Sequence, residues 1–150
     1  MSLGPKSTDF IDAPLISEQL GFRVTFISEL QQHTHSFKFR AAWSVVQNVE
    51  NAHFIAASSG NFGQALAKAC QLSERQCTIV MPTTSSRVKI SAVKGFGAEV
   101  VFVDTAHQSR ASKVSEVLLR HPEAHVASAY GQPLPGNNEQ GIWVGGKAGN

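Results

Sequence analysis

Apolar and polar positions fall into two rhythms along this chain, and the change between them comes near residue 50. From His53 onward, short apolar runs alternate with longer stretches of helical spacing, which predicts β-α-β units because parallel strands need a crossover between them. His53-Phe54-Ile55-Ala56-Ala57 is the first strand-like run. Phe62, Ala65, Leu66, Ala69 and Cys70 then recur at i, i+3, i+4, i+7 and i+8, so one apolar stripe can lie on a sheet. Cys77-Thr78-Ile79-Val80-Met81 reads as a buried strand ended by Pro82, which has no amide hydrogen for a ladder. Ser85 or Ser86 is placed to cap a second helix reaching toward Lys94, with Gly95-Phe96-Gly97 at its exit. Val100-Val101-Phe102-Val103 is a third strand. Asp104 or Thr105 is placed to cap a third helix, with Ala111, Val114, Val117 and Leu118 on one face and His121-Pro122 closing it. A fourth strand is expected through Val126-Ala127-Ser128-Ala129.

Four strands with three crossover helices make an α/β fold, a small three-layer unit around a four-stranded parallel sheet whose strand order is not readable. The first fifty residues lack this rhythm. Residues 17–20 suggest a short helix, Gly21 a turn, residues 23–27 a strand and residues 41–49 another helix. Residues 131–150 are rich in Gly, Pro and Asn with little apolar period, a loose tail in which Trp143 is the one local anchor expected.

With 150 residues, 42% of them hydrophobic, the chain can bury one core and is too short for two ordinary domains. Its net charge of +2 is scattered and forms no basic run, so no nucleic-acid partner is expected. No stretch approaches the roughly 20 apolar residues that cross a bilayer, and no secretory leader is visible, which implies a soluble, cytoplasmic protein without a membrane partner. Cys70 and Cys77 have neither metal-motif nor disulfide-framework spacing and read as reduced, packed thiols. Of the histidines, His33 and His35 are paired while His53, His107, His121 and His125 are dispersed. No carboxylate or cysteine completes a ligand set at useful spacing, so no metal site is expected.

Two segments carry candidate chemistry. Ser58-Ser59-Gly60-Asn61 lies between a predicted strand and a predicted helix, where helix amides point outward and can receive a carboxylate or phosphate, unless Ser59 or Asn61 merely caps the helix. Lys38 stands between Phe37 and Phe39, and such flanking can desolvate an ammonium and free the amine to attack a carbonyl, although lysines between aromatics are also often solvated.

Ser36-Phe37-Lys38-Phe39-Arg40-Ala41-Ala42 and Ser58-Ser59-Gly60-Asn61-Phe62-Gly63-Gln64-Ala65 together resemble the lysine segment and the substrate loop of the fold type II, pyridoxal-phosphate-dependent threonine dehydratase and serine racemase family. Lys38 and Ser58 are 20 residues apart and in the family's order. Ala13-Pro14-Leu15, Glu29, Val80-Met81-Pro82, Lys89 and Gly95-Phe96-Gly97-Ala98-Glu99-Val100 fit the same frame, so the resemblance runs from about residue 12 to about residue 134.

The resemblance implies the small domain of the tryptophan synthase β-like fold over residues 51–134. Residues 1–50 would then be part of the larger domain and carry the Schiff-base lysine, and residues 135–150 would be a divergent tail. It implies pyridoxal 5'-phosphate as cofactor, with Phe37 beside its ring, Lys38 bound to it and moving a proton at the substrate α-carbon, and Asn61 on its phenolic oxygen. Ser58, Ser59, Gly60, Asn61 and Gln64 would hold the substrate carboxylate, and Ser59 would also exchange a proton. The substrate would be a small hydroxy amino acid undergoing β-elimination or racemisation.

The sequence departs from the family at His35 and Ala41, where glycines are usual, and at Phe62, where histidine is usual. It also ends before the family's glycine-rich phosphate loop, which Gly145-Gly146-Lys147-Ala148-Gly149 does not reproduce. The expectation is a truncated lyase-like chain, incomplete as a catalyst and not certain to hold the cofactor by itself. The rival from another class is a non-catalytic module that forms a homo-oligomer or binds a partner, with aromatic-rich residues 37–43 as its surface.

Overall fold

The structure, a computed structural model, describes residues 4–129. It begins with strand β1 (Asp9–Asp12), helix α1 (Pro14–Leu20) and strand β2 (Thr25–Ser28). β1 and β2 pair antiparallel, Asp9 opposite Ser28 and Asp12 opposite Thr25. Pro14 opens α1 where its missing amide costs nothing, and Gly21 closes it at φ 73°, donating to the Ser17 carbonyl at 2.9 Å. The sequence pattern contains no sign of β1, and α1 starts three residues earlier than the apolar period suggests.

Helix α2 (Lys38–Asn48) follows, then β3 (His53–Ala57), α3 (Asn61–Leu72), β4 (Gln76–Pro82), α4 (Arg87–Gly95), β5 (Glu99–Val103), α5 (Arg110–Arg120) and β6 (His125–Val126). The four strands form one parallel sheet in the order β5-β4-β3-β6. Alternate strand residues face opposite layers. Phe54, Ala56, Ile79 and Met81 pack with Phe39, Ala42 and Val46 of α2, with the stripe of α3 and with Val93 of α4. Ile55, Val80 and Val103 pack with Val114 and Val117 of α5. The predicted α3 stripe of Phe62, Ala65, Leu66, Ala69 and Cys70 is wholly buried.

Three local expectations are corrected. Helix α5 starts at Arg110, where the Ser109 hydroxyl accepts from the Ser112 amide at 3.1 Å. Asp104 instead closes its own turn, accepting from the Ala106 amide at 3.0 Å, which is what a short carboxylate does when a loop amide is nearer than a helix. Ala111, expected on the apolar face, is exposed. The last strand is only two residues long, extended by the Ala127 amide donating to the Ile55 carbonyl at 2.8 Å. The expected tail, Trp143 and the terminal glycines lie outside the described residues.

Cys70 and Cys77 are buried free thiols. A hydrogen bond with Cys70, and then burial, push the Cys77 thiol well above its ordinary range, as expected for packed and unreactive sulfur.

Candidate active site

β3, β4 and β5 are laid down in one direction across the sheet, and the chain then returns to place β6 on the far side of β3. That reversal makes the carboxyl ends of β3 and β6 a topological switch point, where open parallel sheets leave a crevice between diverging loops. A cleft of about 610 Å³ lies there, and it brings together the two sequence segments that were singled out. Phe37 and Lys38 at the start of α2, Ser58, Ser59, Gly60, Asn61 and Phe62 at the start of α3, Lys89 of α4, Arg110 of α5, and Ala129 after β6 all line it. Gln64 does not; it is half-buried one turn further along α3.

Within the loop the serines divide the work. Ser58 is buried, its amide donates to the Val80 carbonyl at 3.1 Å, and its Oγ accepts from the Gly63 amide at 2.9 Å and the Gly60 amide at 3.3 Å. Gly60 is the N-cap of α3 and brings no capping side chain, so Ser58 supplies the oxygen for the first-turn Gly63 amide, and neither Ser59 nor Asn61, the alternative caps, takes that part. A hydroxyl that accepts twice still has its own hydrogen to give. Gly63 lets the helix start lie close on the sheet, since a Cβ there would stand 3.2 Å from Ile79 Cγ2 and from the Ser58 backbone oxygen. Gly60 is under no such constraint.

Lys38 is the first residue of α2, and its amide donates to Ser36 Oγ at 3.3 Å. Its ammonium sits 4.8 Å from the centre of the Phe37 ring. Phe39, the other flanking aromatic, is fully buried in the core and stacks on Trp43 at 5.9 Å, so of the two flanking rings Phe37 is the one beside the ammonium. Of the aromatics in residues 37–43, Phe39 is buried, Trp43 is half-buried and Phe37 is exposed. Behind the lysine, Arg40 donates to both oxygens of Glu29 at 2.9 and 3.0 Å, to Thr8 Oγ1 at 2.6 Å and to the Lys6 carbonyl at 2.8 Å, tying the N-terminal segment to α2. Burial would raise the Glu29 carboxyl, but the hydrogen bonds from Arg40 and Thr8, the Arg40 charge and Gln32 hold it below its ordinary 4.5. His35 has φ 52°, the left-handed conformation that glycine adopts without a steric penalty.

The charges lining the cleft run against helix stability. Lys38, Lys89 and Arg110 all lie in first turns, where the helix dipole disfavours cations by roughly 0.3–1 kcal/mol each. No acidic side chain is among the described lining residues. Three cations at helix starts around one cleft suit an anion. Arg110 was missed in the sequence because it becomes informative only when α5 is placed beside β3; basic first-turn residues after each strand were the available signal.

The structure brings together two of the four histidines that are dispersed in the sequence. His53 and His121 meet edge to face with ring centres 4.6 Å apart, and Glu123 lies beside both. Burial and then the neighbouring His121 hold the His53 imidazole below its ordinary 6.5, against the pull of Glu123 and Glu99.

Comparison with known proteins agrees with this geometry. An L-threo-3-hydroxyaspartate ammonia-lyase from Pseudomonas sp is 32% identical over 122 residues, covering 79% of this chain and 38% of that protein. Bos taurus serine racemase is 29% identical over 138 residues, covering 83% of this chain and 41% of that protein. Among solved structures, Dictyostelium discoideum serine racemase superposes with a TM-score of 0.79 at 26% identity over 85% of this chain and 43% of its own. Threonine deaminase isoform 2 from Solanum lycopersicum gives 0.76 at 26% identity, over 86% of this chain and 36% of its own. The chain thus spans about two fifths of the length of these relatives. The family described as pyridoxal-phosphate dependent enzyme matches residues 1–147, and with the lysine and the serine loop on one cleft at the switch point, the chain belongs to that family.

Proposed function

We propose that this chain supplies the lysine and substrate-loop side of a pyridoxal-phosphate site acting on small hydroxy amino acids, by β-elimination of the threonine or serine dehydratase type or by racemisation of the serine racemase type. The observation that carries this reading is that Lys38 and Ser58 to Asn61 line one cleft with Lys89 and Arg110. The donor set fits the cofactor: an amine for its carbonyl, and cations and helix amides for anionic groups, with no acid among the described lining residues. Residues 51–134 are taken as the small domain, residues 1–50 as the N-terminal segment that presents the lysine and residues 135–150 as a divergent tail. The core shared by α2 and α3 supports a lysine held rigidly against the small domain.

Bound pyridoxal phosphate supplies an electron sink for the charge left when an amino acid loses its α-proton. Lys38 would hold the cofactor through its amine and would carry that proton at the α-carbon, while Phe37 and Asn61 would help to hold the ring and its phenolic oxygen. Ser59 and the Asn61 amide would receive the substrate carboxylate, with the Gly60 amide turning to it from its long contact with Ser58 Oγ, and with help from the remaining hydrogen of Ser58 and, one turn away, from Gln64. Ser59 is the second proton carrier. Loss of the β-hydroxyl, leaving as water once protonated, would give the dehydratase outcome, and return of the proton through Ser59 would give the racemase outcome.

The test is an absorbance titration with pyridoxal phosphate, comparing wild type with Lys38→Ala, followed by borohydride trapping and peptide mass analysis. Saturable binding in wild type that is lost in the variant, with the trapped mass on the Lys38 peptide, is expected. Identical behaviour of the two proteins rejects the reading. A non-catalytic, self-associating module then becomes the better account, favoured by the exposed Phe10, Leu15, Phe22 and Ile27 of the N-terminal segment.

A further inference from the structure

The end of the sheet opposite the cleft holds the group of residues that this chemistry does not use. His53 is the first residue of β3, whereas Ser58 follows its last, so the two sites lie at opposite ends of one strand. The His53 side chain is only 6% exposed. Its Nε2 lies 2.9 Å from Thr78 Oγ1, and the Thr78 hydroxyl donates to Glu99 Oε2 at 3.0 Å. A carboxylate only accepts, so the single threonine hydrogen goes to Glu99, and His53 must donate its Nε2 hydrogen to the threonine oxygen. The neutral ring then has its lone pair on Nδ1.

That Nδ1 is buried and has no hydrogen-bond partner among the described residues. Its neighbours are acceptors: Glu123 Oε1 lies 4.0 Å away, beyond hydrogen-bond reach, and the same oxygen lies 3.9 Å from His121 Nδ1. All three ligand atoms fall within 4.8 Å of one another. A buried lone pair facing a carboxylate oxygen is an unfavourable arrangement that a cation relieves.

We propose that His53, His121 and Glu123 bind a divalent transition-metal ion of the zinc class. Two imidazole nitrogens and one carboxylate oxygen form a nitrogen-rich set suited to such ions, with an open position left for water. The hydrogen-bonded path from His53 through Thr78 to Glu99 is the outer support that orients a ligating imidazole and raises its basicity. Ligands at about 2.0–2.2 Å from a tetrahedral ion stand roughly 3.3–3.5 Å apart, so the two histidine–Glu123 pairs, now 4.0 and 3.9 Å, close by about 0.5 Å and the widest pair, within 4.8 Å, by up to about 1.5 Å. The two outer ligands can make that movement, since the side chains of His121 and Glu123 are 36% and 62% exposed, while His53 stays fixed in the sheet. The loop carrying them is already positioned, with the Asn51 side chain donating to the Glu123 carbonyl and the Ala124 amide donating to the His121 carbonyl. Bound there, the ion ties the loop between α5 and β6 to β3, reinforcing an edge strand that holds on by two residues.

The experiment uses the full chain stripped of metal by chelation and without pyridoxal phosphate, titrated with Zn2+ by calorimetry and with Co2+ by visible absorption. One ion per chain is expected, with a Co2+ ligand-field band and a rise in Tm on adding zinc. His121→Ala and Glu123→Gln, both in an exposed loop, each weaken binding by more than about 10-fold and abolish the rise in Tm. His107→Ala, whose ring pairs with Asp104 elsewhere, leaves both unchanged. Absence of uptake at micromolar zinc, or equal uptake by wild type and the His121→Ala/Glu123→Gln double variant, overturns the proposal. Because the cofactor takes no part, the result does not depend on the fate of the Lys38 reading.

Discussion

The N-terminal β1-α1-β2 segment and the parallel sheet both carry large apolar side chains and treat them in opposite ways. Phe10, Leu15 and Phe22 are 71%, 76% and 63% exposed, whereas Phe54, Ile55, Leu66 and Ile79 are completely buried. A two-stranded ribbon with one seven-residue helix is a single layer that no second layer of the described residues covers, and α1 buries no residue among them. The four-stranded sheet has α2, α3 and α4 on one face and α5 on the other, so both sets of alternating side chains find a partner layer. The N-terminal segment is instead held by polar contacts, chiefly the network around Arg40 and Glu29. One region is stabilised by burial and the other by a charged clamp, and the lysine of the cleft sits at the joint between them.

Core truncation gives the largest expected contrast. Leu66→Ala should cost about 2–5 kcal/mol, and Leu15→Ala should stay within about 0.5 kcal/mol, in urea unfolding followed by circular dichroism. Similar losses at the two positions would show that the N-terminal segment is buried in solution.

Gly63→Ala comes next. Its Cβ would meet the Ser58 backbone and Ile79 at 3.2 Å, and the helix start must shift away from the sheet at a cost of about 1–3 kcal/mol. Gly60→Ala, with nothing within 4 Å, should leave unfolding midpoints unchanged, so the pair separates a packing requirement from general loop sensitivity.

The smallest effect concerns pH. Because the Glu29 carboxyl is held below its ordinary 4.5, its contribution is fully present above about pH 4.5 and is lost as pH falls through the lower native value. Amide exchange in residues 6–8 should accelerate over that acid window while exchange in β3 and β4 does not, and Glu29→Gln should remove most of that pH dependence after correction for intrinsic exchange, the part due to Asp12, also held low by Thr25 and Arg23, remaining. Parallel acceleration in both regions would mean that the clamp does not act separately from the core.

Much of this was legible beforehand because burial imprints a period on the sequence. The α3 stripe and the strands at Ile55 and Ile79 follow from their spacing, and the candidate lysine and serine loop were found from residue type and order. β1 was not legible, since Asp9-Phe10-Ile11-Asp12 is exposed along its whole length and no face imposed an alternation. The α5 cap was misplaced because Asp104 and Ser109 are equally good capping residues by type, and only the path of the chain after β5 chooses between them.

The sequence by itself determined which residues face a core, that strands and helices alternate after residue 50, and that a lysine and a serine-rich loop stand in a family's order. Only the tertiary structure decided that β6 crosses to the far side of β3, which creates the switch point, draws Lys89 and Arg110 to the lysine cleft and brings His121 and Glu123 to His53 at the other end. Periodicity records whether a side chain is covered, a local property of a strand or helix face. Strand order depends on which layers close together over long separations in the chain, and no local pattern carries that information.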